Sequence, residues 1–186
     1  YSDTATRGGP IMQNPGSYSL GIELRTDRRK RLSFRPGLDY ENGQKGGYEW
    51  QTEMEINFRP SPSWEIEISP NFQWRQDSAQ YVTRTDALSY SPTFGRRYIF
   101  SDLKRRSFSL ETRLNVAFTP NLTLQLYAQP LLSSGDYLNY KQLLQPKSFD
   151  FDVLDEGTRS FIDPTDGDRH LDFDGDGMSD VSFSDR

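Results

Sequence analysis

The chain of 186 residues contains no cysteine and no long apolar run. The lack of cysteine excludes a disulfide framework and a thiolate metal site. No stretch approaches the roughly 18 apolar residues of a membrane-spanning helix, which excludes a helical membrane protein. No signal peptide precedes Tyr1, and no closing strand with a terminal aromatic residue follows Phe183. We therefore expect the chain to be an internal piece of a larger protein.

The chain also has no excess of basic residues. It contains 22 basic and 27 acidic residues, interspersed, for a net charge of −5, so we expect no nucleic-acid partner. Only 33% of the residues are hydrophobic and the mean hydropathy is −0.81. Barrels keep bulk hydropathy low because apolar and polar residues alternate along their strands. The aromatic content of 13% favours strands over disorder.

Aromatic pairs enclose runs in which every second residue is apolar: Tyr48/Phe58, Trp64/Trp74 and Phe108/Phe118. A strand of about ten residues at roughly 3.3 Å per residue, tilted by about 45°, covers roughly 23 Å of depth. That depth is close to the apolar band of an outer-membrane barrel. The aromatic residues would then mark its two edges.

The same alternation, read along the chain, predicts about six strands, over residues 17–25, 31–41, 48–58, 64–75, 107–118 and 122–129. Short links at 26–30, 59–63 and 119–121 alternate along the chain with mostly longer ones at 42–47, 76–106 and after residue 129. Outer-membrane barrels sort short periplasmic turns and longer external loops in this way. Two prolines inside strands, Pro36 and Pro70, require an edge or a bulge. Residues 137–145 are the single helix candidate.

We therefore predict an all-β fold, an antiparallel up-and-down barrel segment of the transmembrane, outer-membrane type that is incomplete in this chain. Residues 1–129 would hold the strands, and residues 130–186 would form a long external loop region. The alternative is a water-soluble antiparallel sheet with one face on a core. The near-uniform strand length and the aromatic residues at both strand ends favour the barrel.

Several segments resemble a family of large bacterial envelope proteins: TRGGP at 6–10, YIFSDL at 98–103, and FTPNLTLQLYAQP at 118–130 followed by SGDY at 134–137. The resemblance implies an outer-membrane β-barrel domain of unassigned function, usually preceded by a module similar to family 9 carbohydrate-binding domains. It implies further that this chain is the C-terminal portion of the barrel, without the amino-terminal module and the last strands. The family brings no established catalytic residues.

An aspartate-rich segment near the end of the chain predicts a calcium site. Its candidate ligands are Asp172, Asp174, Asp176, Asp180 and the carbonyl of Met178, with glycine at position 6 of the loop. Carboxylates at alternate positions converge on one hard cation, and the glycine permits the sharp turn.

The segment differs from an EF-hand because Phe183 replaces the bidentate glutamate. It is closer to the aspartate-rich loops of extracellular calcium-binding repeats, and we expect an affinity of about 10⁻⁴ to 10⁻³ M. Asp163, Asp166 and Asp168 are candidates for further ligands or a second site. The alternative is an acidic, solvated loop that binds nothing specifically.

The sequence as a whole predicts an outer-membrane anchor or channel that handles or takes up glycan and carries a structural Ca²⁺ loop. The expected partners are outer-membrane lipid, glycan, and other strands of the same protein or partner subunits. Residues 130–186 would lie on the external side. No carboxylate pair or nucleophile stands out, so we do not expect an enzyme. The alternatives are a secreted, calcium-dependent domain that binds carbohydrate or a cell surface, and an envelope glycan hydrolase.

Overall fold

The structure, a computed structural model, describes residues 1–184 and is almost entirely β. Its strands are β1 (Ser17–Glu23), β2 (Leu32–Gly43), β3 (Tyr48–Ser61), β4 (Trp64–Thr85), β5 (Arg97–Thr119), β6 (Leu122–Ala128), β7 (Leu131–Leu143), β8 (Phe151–Val153), β9 (Ser160–Ile162), β10 (Arg169–Leu171) and β11 (Val181–Phe183). Two short 3₁₀ turns, Thr4–Thr6 and Ser91–Thr93, complete the secondary structure. Within residues 1–184, no helix is long and apolar enough to cross a bilayer.

The strands form one large antiparallel sheet and one small one. The large sheet has eight strands in the order β1-β2-β3-β4-β5-β7-β8, and β6 also pairs with β5. The small sheet has three strands in the order β11-β10-β9. The predicted all-β, antiparallel fold is confirmed. The described strands form an open sheet, because β1 is not paired with a strand at the other end of the order.

Most of the large sheet separates polar from apolar side chains cleanly. We call residues 17–75 and 104–136 the open sheet. Directly opposite residues in an antiparallel pair share a face, so the strand register fixes the faces. One row crosses the sheet through Ile22, Leu38, Thr52, Phe72, Phe108 and Leu132. The adjacent row crosses it through Asp39, Gln51, Gln73, Ser107 and Ser133. The first row lies on the apolar face and the second on the polar face.

The hydrophobic core lies at one end of the open sheet. We call residues 1–16, 76–103 and 137–184 the cap. One core cluster joins Ile99, Tyr140, Leu154, Leu171 and Phe173, and a second joins Met12, Tyr98, Phe100 and Leu143. Val116 is the one buried hydrophobic residue outside the cap among those described. The open sheet therefore has almost no core of its own.

Strands β4 and β5 are much longer than the alternation predicts. They contain 22 and 23 residues, and they run into the cap. The predicted loop at 76–106 is therefore wrong, and the connection itself covers only residues 86–96. In the cap, Tyr98, Ile99 and Phe100 are all buried in succession, because both sides of β5 contact protein there. A strand that is buried on both faces does not alternate, which is why the pattern missed it.

Strand β7 occupies residues that the sequence assigned to a long loop after residue 129 and to a helix candidate. A bulge at Asn139 (φ 52°) interrupts its pairing with β5. Asp102 holds the bulge, because its carboxylate accepts hydrogen bonds from Asn139 Nδ2 at 2.8 Å and Lys141 Nζ at 2.6 Å. The bulge adds one residue to β7, so the alternation of its side chains shifts by one position there. Asparagine tolerates the left-handed backbone that the bulge requires.

Pro36 and Pro70 lie in the central strands β2 and β4, and the strand pairing has no register shift at either, so neither the expected edge nor the expected bulge is found. Ser69 and Pro70 are left out of the regular pairing with β3. Pro36 stays in the ladder, and its carbonyl accepts a hydrogen bond from Leu24 N–H at 3.0 Å.

The links remote from the cap cover residues 24–31, 62–63 and 120–121, and the cap-side link 44–47 is short as well. The predicted sorting of the links by length therefore holds only in part.

The cap core should carry most of the conventional packing energy. We predict that Leu154→Ala, at a side chain that is 1% exposed, lowers the free energy of unfolding by about 2–5 kcal/mol. Leu144→Ala, at a cap leucine that is 37% exposed, is the matched control and should cost far less. Denaturant unfolding followed by tryptophan fluorescence measures both, and equal losses would contradict the assignment of the core.

Candidate functional site

The aspartate-rich segment, residues 172–180, forms the connection between β10 and β11, and we call it the aspartate loop. Asp172, Asp174 and Asp176 each direct a carboxylate oxygen to one place, and these oxygens lie within 4.8 Å of one another. Asp172 is buried, whereas the other two are exposed. The arrangement offers oxygen ligands to a hard cation, as the spacing predicts.

Asp172 organises this loop through backbone amides. Its Oδ1 accepts a hydrogen bond from Gly175 N–H at 2.6 Å, and its Oδ2 accepts one from Gly177 N–H at 2.9 Å. Burial alone would raise the pKa of Asp172, but these amide donors together hold its pKa below the usual value. Both glycines have positive φ, of 79° and 86°, so the turn itself requires them.

Asp180 and Met178, the two remaining predicted ligands, form hydrogen bonds within the loop. Asp180 is not part of the carboxylate group, and its Oδ2 instead accepts a hydrogen bond from Phe173 N–H at 2.7 Å. Its own amide donates to the carbonyl of Leu171 at 2.9 Å, which closes the base of the loop. Met178 donates its amide to Asp176 Oδ1 at 2.8 Å. The structure thus brings three of the four predicted carboxylate ligands together.

A second group lies on the neighbouring turn. Asp163, Asp166 and His170 could jointly contact one ion. His170 contacts Asp166 through Nε2 at 3.2 Å and Ser179 through Nδ1 at 2.9 Å, so it links the two acidic loops. Asp168 is outside this group and donates its amide to Asp166 at 2.9 Å.

An ion pair that the sequence did not reveal fixes the aspartate loop to the large sheet. Asp152 on β8 accepts two hydrogen bonds from Arg159, at 3.2 and 2.9 Å. The guanidinium of Arg159 also donates to the carbonyl of Phe173 at 3.0 Å, and the Arg159 carbonyl accepts from Asp172 N–H at 3.0 Å. Arg159 therefore positions the first residues of the loop.

Acidic and basic side chains pair repeatedly on the polar face of the open sheet. Arg35 bonds Glu55 and lies 3.6 Å from Glu23, and Arg75 contacts Glu49 at 3.3 Å and Asp77 at 2.7 Å. Arg59 pairs with Glu65, and Arg113 pairs with Glu111 at 2.6 Å. These pairs are partly exposed, and each contributes at most about 1 kcal/mol to stability.

The comparison with protein families decides where the chain belongs. The model of a domain of unknown function, DUF5916, matches residues 4–153, which is more than half of the chain. The chain belongs to the DUF5916 family. The curated proteins and the solved structures that were compared contain no match to it. The description of DUF5916 assigns no function and names neither a barrel nor a carbohydrate-binding module.

The DUF5916 match divides the molecule in an informative way. It contains the whole open sheet and extends to the last residue of β8, Val153. The three-stranded sheet and both acidic groups follow that residue. The open sheet therefore belongs to the matched part of the chain, and the aspartate loop lies outside that part.

The Asp152–Arg159 pair should make the stability of the cap depend on pH. The hydrogen bond from Arg159 lowers the pKa of Asp152 below its ordinary 3.8, although partial burial opposes this effect. Its stabilising contribution is therefore present above about pH 4 and is lost as the pH falls through the lowered, folded-state pKa.

We predict that Asp152→Asn costs about 1 kcal/mol at pH 7, a value reduced for the partial exposure of the pair. The difference from the unmodified chain should vanish at low pH, because a protonated Asp152 no longer pairs. Denaturant unfolding between pH 2 and pH 7 measures this difference. A constant offset across that range would contradict the role of the ion pair.

Proposed function

We propose that the open sheet is a segment of an outer-membrane β-barrel, an anchor or channel, whose apolar face contacts lipid and whose polar face lines the lumen. Other strands of the same protein or partner subunits would complete the barrel. Residues 137–184 of the cap would lie on the external side, and glycan would be the material taken up or handled. The observation that carries the proposal is the apolar face itself.

The apolar face is exposed over most of its extent, and Val116 is its buried hydrophobic residue among those described. Large hydrophobic side chains on it are 38–70% exposed, among them Leu20, Ile22, Leu38, Trp50, Met54, Phe58, Trp64, Phe72, Trp74, Phe108, Leu124, Leu126 and Leu132. Monomeric water-soluble proteins rarely leave more than a few hundred Å² of contiguous apolar surface uncovered. A face of this kind needs an apolar environment, and lipid supplies one without a specific partner.

The edges of the apolar face favour lipid over a packed protein core. Trp50 and Trp74 lie opposite each other at the cap end, where Arg106 lies over the Trp74 ring at 5.1 Å. Phe58 and Trp64 lie at the other end, next to the turns. Tryptophan and arginine at the boundary of an apolar band match the aromatic girdles and charged headgroups of a bilayer.

The edges of the sheet favour an assembly with further strands. Among the residues that the structure describes, β1 is paired only with β2 and β6 only with β5, and every residue of both strands is exposed. Unpaired backbone groups cannot stay bare in a bilayer, so neighbouring strands must bond them. Bacterial single-chain barrels have at least about eight strands, which is more than the open sheet supplies.

Two features support the structural calcium loop. The oxygens of Asp172, Asp174 and Asp176 lie within 4.8 Å of one another, and amide donors already orient Asp172. A cation there would offset the mutual repulsion of three carboxylates and order the link between β10 and β11. On the proposed external side, calcium at millimolar concentration matches the weak affinity expected for this ligand set.

The lipid contact predicts a depth-dependent penalty for charge. Met54→Arg, in the middle of the apolar band, should lower stability by about 2–4 kcal/mol, whereas Phe58→Arg at its edge should cost about 0–1 kcal/mol. Gln51→Arg on the polar face is the matched control and should cost little. The recovery of each variant in washed outer membranes and its denaturant midpoint in detergent measure the penalty.

Equal losses at Met54 and Phe58, with the protein in the soluble fraction, would contradict the lipid contact. That result would favour the secreted, calcium-dependent binding domain, whose apolar face packs on protein. A glycan hydrolase would be revealed instead by bond cleavage that is lost when acidic residues of the polar face are replaced.

Calcium binding is measured by calorimetry on the folded protein. We expect a dissociation constant of about 10⁻⁴ to 10⁻³ M, and we expect Asp174→Ala to weaken it by at least about tenfold. Asp163→Ala, in the neighbouring acidic group, is the control that separates the two groups. An unchanged titration for Asp174→Ala would remove the proposed site.

A further inference from the structure

One arginine of the polar face differs from its neighbours. Arg35, Arg59, Arg75 and Arg113 each contact a carboxylate. Arg105 lies on the same face, and within residues 1–184 it forms no ion pair. Its Nε, like that of Arg35, is buried without a hydrogen-bond partner. In a chain of net charge −5, an arginine left without an acidic partner needs a physical reason.

The strand register places a second cation next to Arg105. Arg105 lies directly opposite Arg75 on β4, so two cations share one cross-strand pair. Glu49 and Asp77 pair with Arg75, and Glu41 is a further carboxylate near it. Like charges in a cross-strand pair destabilise a sheet. An anion at Arg105 would remove that repulsion.

The space next to Arg105 is open and rich in hydrogen-bond donors. Its other cross-strand neighbour is Gly135, which has no side chain to cover the guanidinium. A pocket of about 370 Å³ lies there, lined by Asn71, Gln73, Arg105, Ser107, Ser109, Leu131 and Ser133. Its lining contains hydroxyl and amide groups and no carboxylate. The hydroxyls of Ser107 and Ser133 are hydrogen bonded to each other at 3.1 Å, which leaves one of the two hydrogens to donate into the pocket.

The next pocket along the same face has the opposite character. It shares Asn71 and Ser109 with the Arg105 pocket and is also lined by Glu53, Glu55, Glu111 and Arg35. Glu55 pairs with Arg35 and Glu111 pairs with Arg113, which leaves Glu53 as the carboxylate without an ion pair among the described residues. Two neighbouring pockets on one sheet thus differ in the sign of their unbalanced charge. The Arg105 pocket is therefore not a general property of the polar face.

We propose that the Arg105 pocket binds an oxyanion, the carboxylate, sulfate or phosphate group of a polar solute. The guanidinium matches two oxygens of such a group, and the hydroxyls and amides of the pocket donate to the remaining oxygens. The inference deepens the proposed function, because it gives the lumen a preference for anionic cargo. Binding itself requires only an accessible polar face.

The experiment titrates sulfate, phosphate and glucuronate, at constant ionic strength, into the full-length protein purified in detergent. Arg105→Gln should weaken binding by ~10- to 100-fold, the loss expected for charge-assisted hydrogen bonds. Arg113→Gln removes the same charge from the same face of β5 and should leave the affinity unchanged. Arg105→Lys, which keeps the charge but not the fork of donors, should give an intermediate loss.

Two results would overturn the proposal. One is the absence of oxyanion binding to a full-length protein whose circular dichroism shows the expected strand content, which would mean that a carboxylate from elsewhere in the protein fills the pocket. The other is an equal loss of affinity in Arg105→Gln and Arg113→Gln, which would mean that the summed charge of the polar face attracts the anion and the Arg105 pocket does not bind it specifically. Membrane fractionation of the same sample is scored separately. Recovery in the soluble fraction with intact binding would reject the barrel and keep the anion site.

Discussion

An antiparallel sheet with one apolar and one polar face must place those faces in two different environments, and this constraint governs the rest of the structure. In the open sheet, neither face is covered by protein among the described residues, and the apolar face presents tryptophan, phenylalanine and leucine side chains. Such a sheet cannot be stabilised by a core of its own. Its stability must come from the backbone ladder, from ion pairs on the polar face, and from whatever surrounds the apolar face.

The cap supplies the packing that the open sheet lacks. Strands β4, β5 and β7 continue from one region into the other, so the core around Ile99 and Phe100 holds the ends of the same strands whose middle parts are bare. The aspartate loop is attached to this core through Arg159, which contacts Asp152 and the carbonyl of Phe173. An ion bound there would thus act on the stability of the cap.

The sequence predicted the parts of the fold in which one physical signal acts alone. Strands with one apolar and one polar face were predicted from the alternation of apolar and polar residues. The spacing of Asp172, Asp174 and Asp176 predicted that their carboxylates lie close together. The cap portions of β4 and β5 were missed because residues buried on both faces, such as Ile99, carry no period. The isolation of Arg105 was not predictable either. It depends on the register that places Arg105 opposite Arg75, and no local pattern encodes that register.

The claim that the two faces of the open sheet lie in different environments is tested most directly by migration in SDS gels, before and after boiling. The sample is the full-length native protein, extracted from washed membranes with detergent. The account predicts a faster band in the unheated sample that shifts on boiling, because a closed barrel resists SDS until heat opens its backbone ladder. Quantitative recovery in the soluble fraction, with no shift on boiling, would contradict the account. The apolar face would then have to be covered by protein.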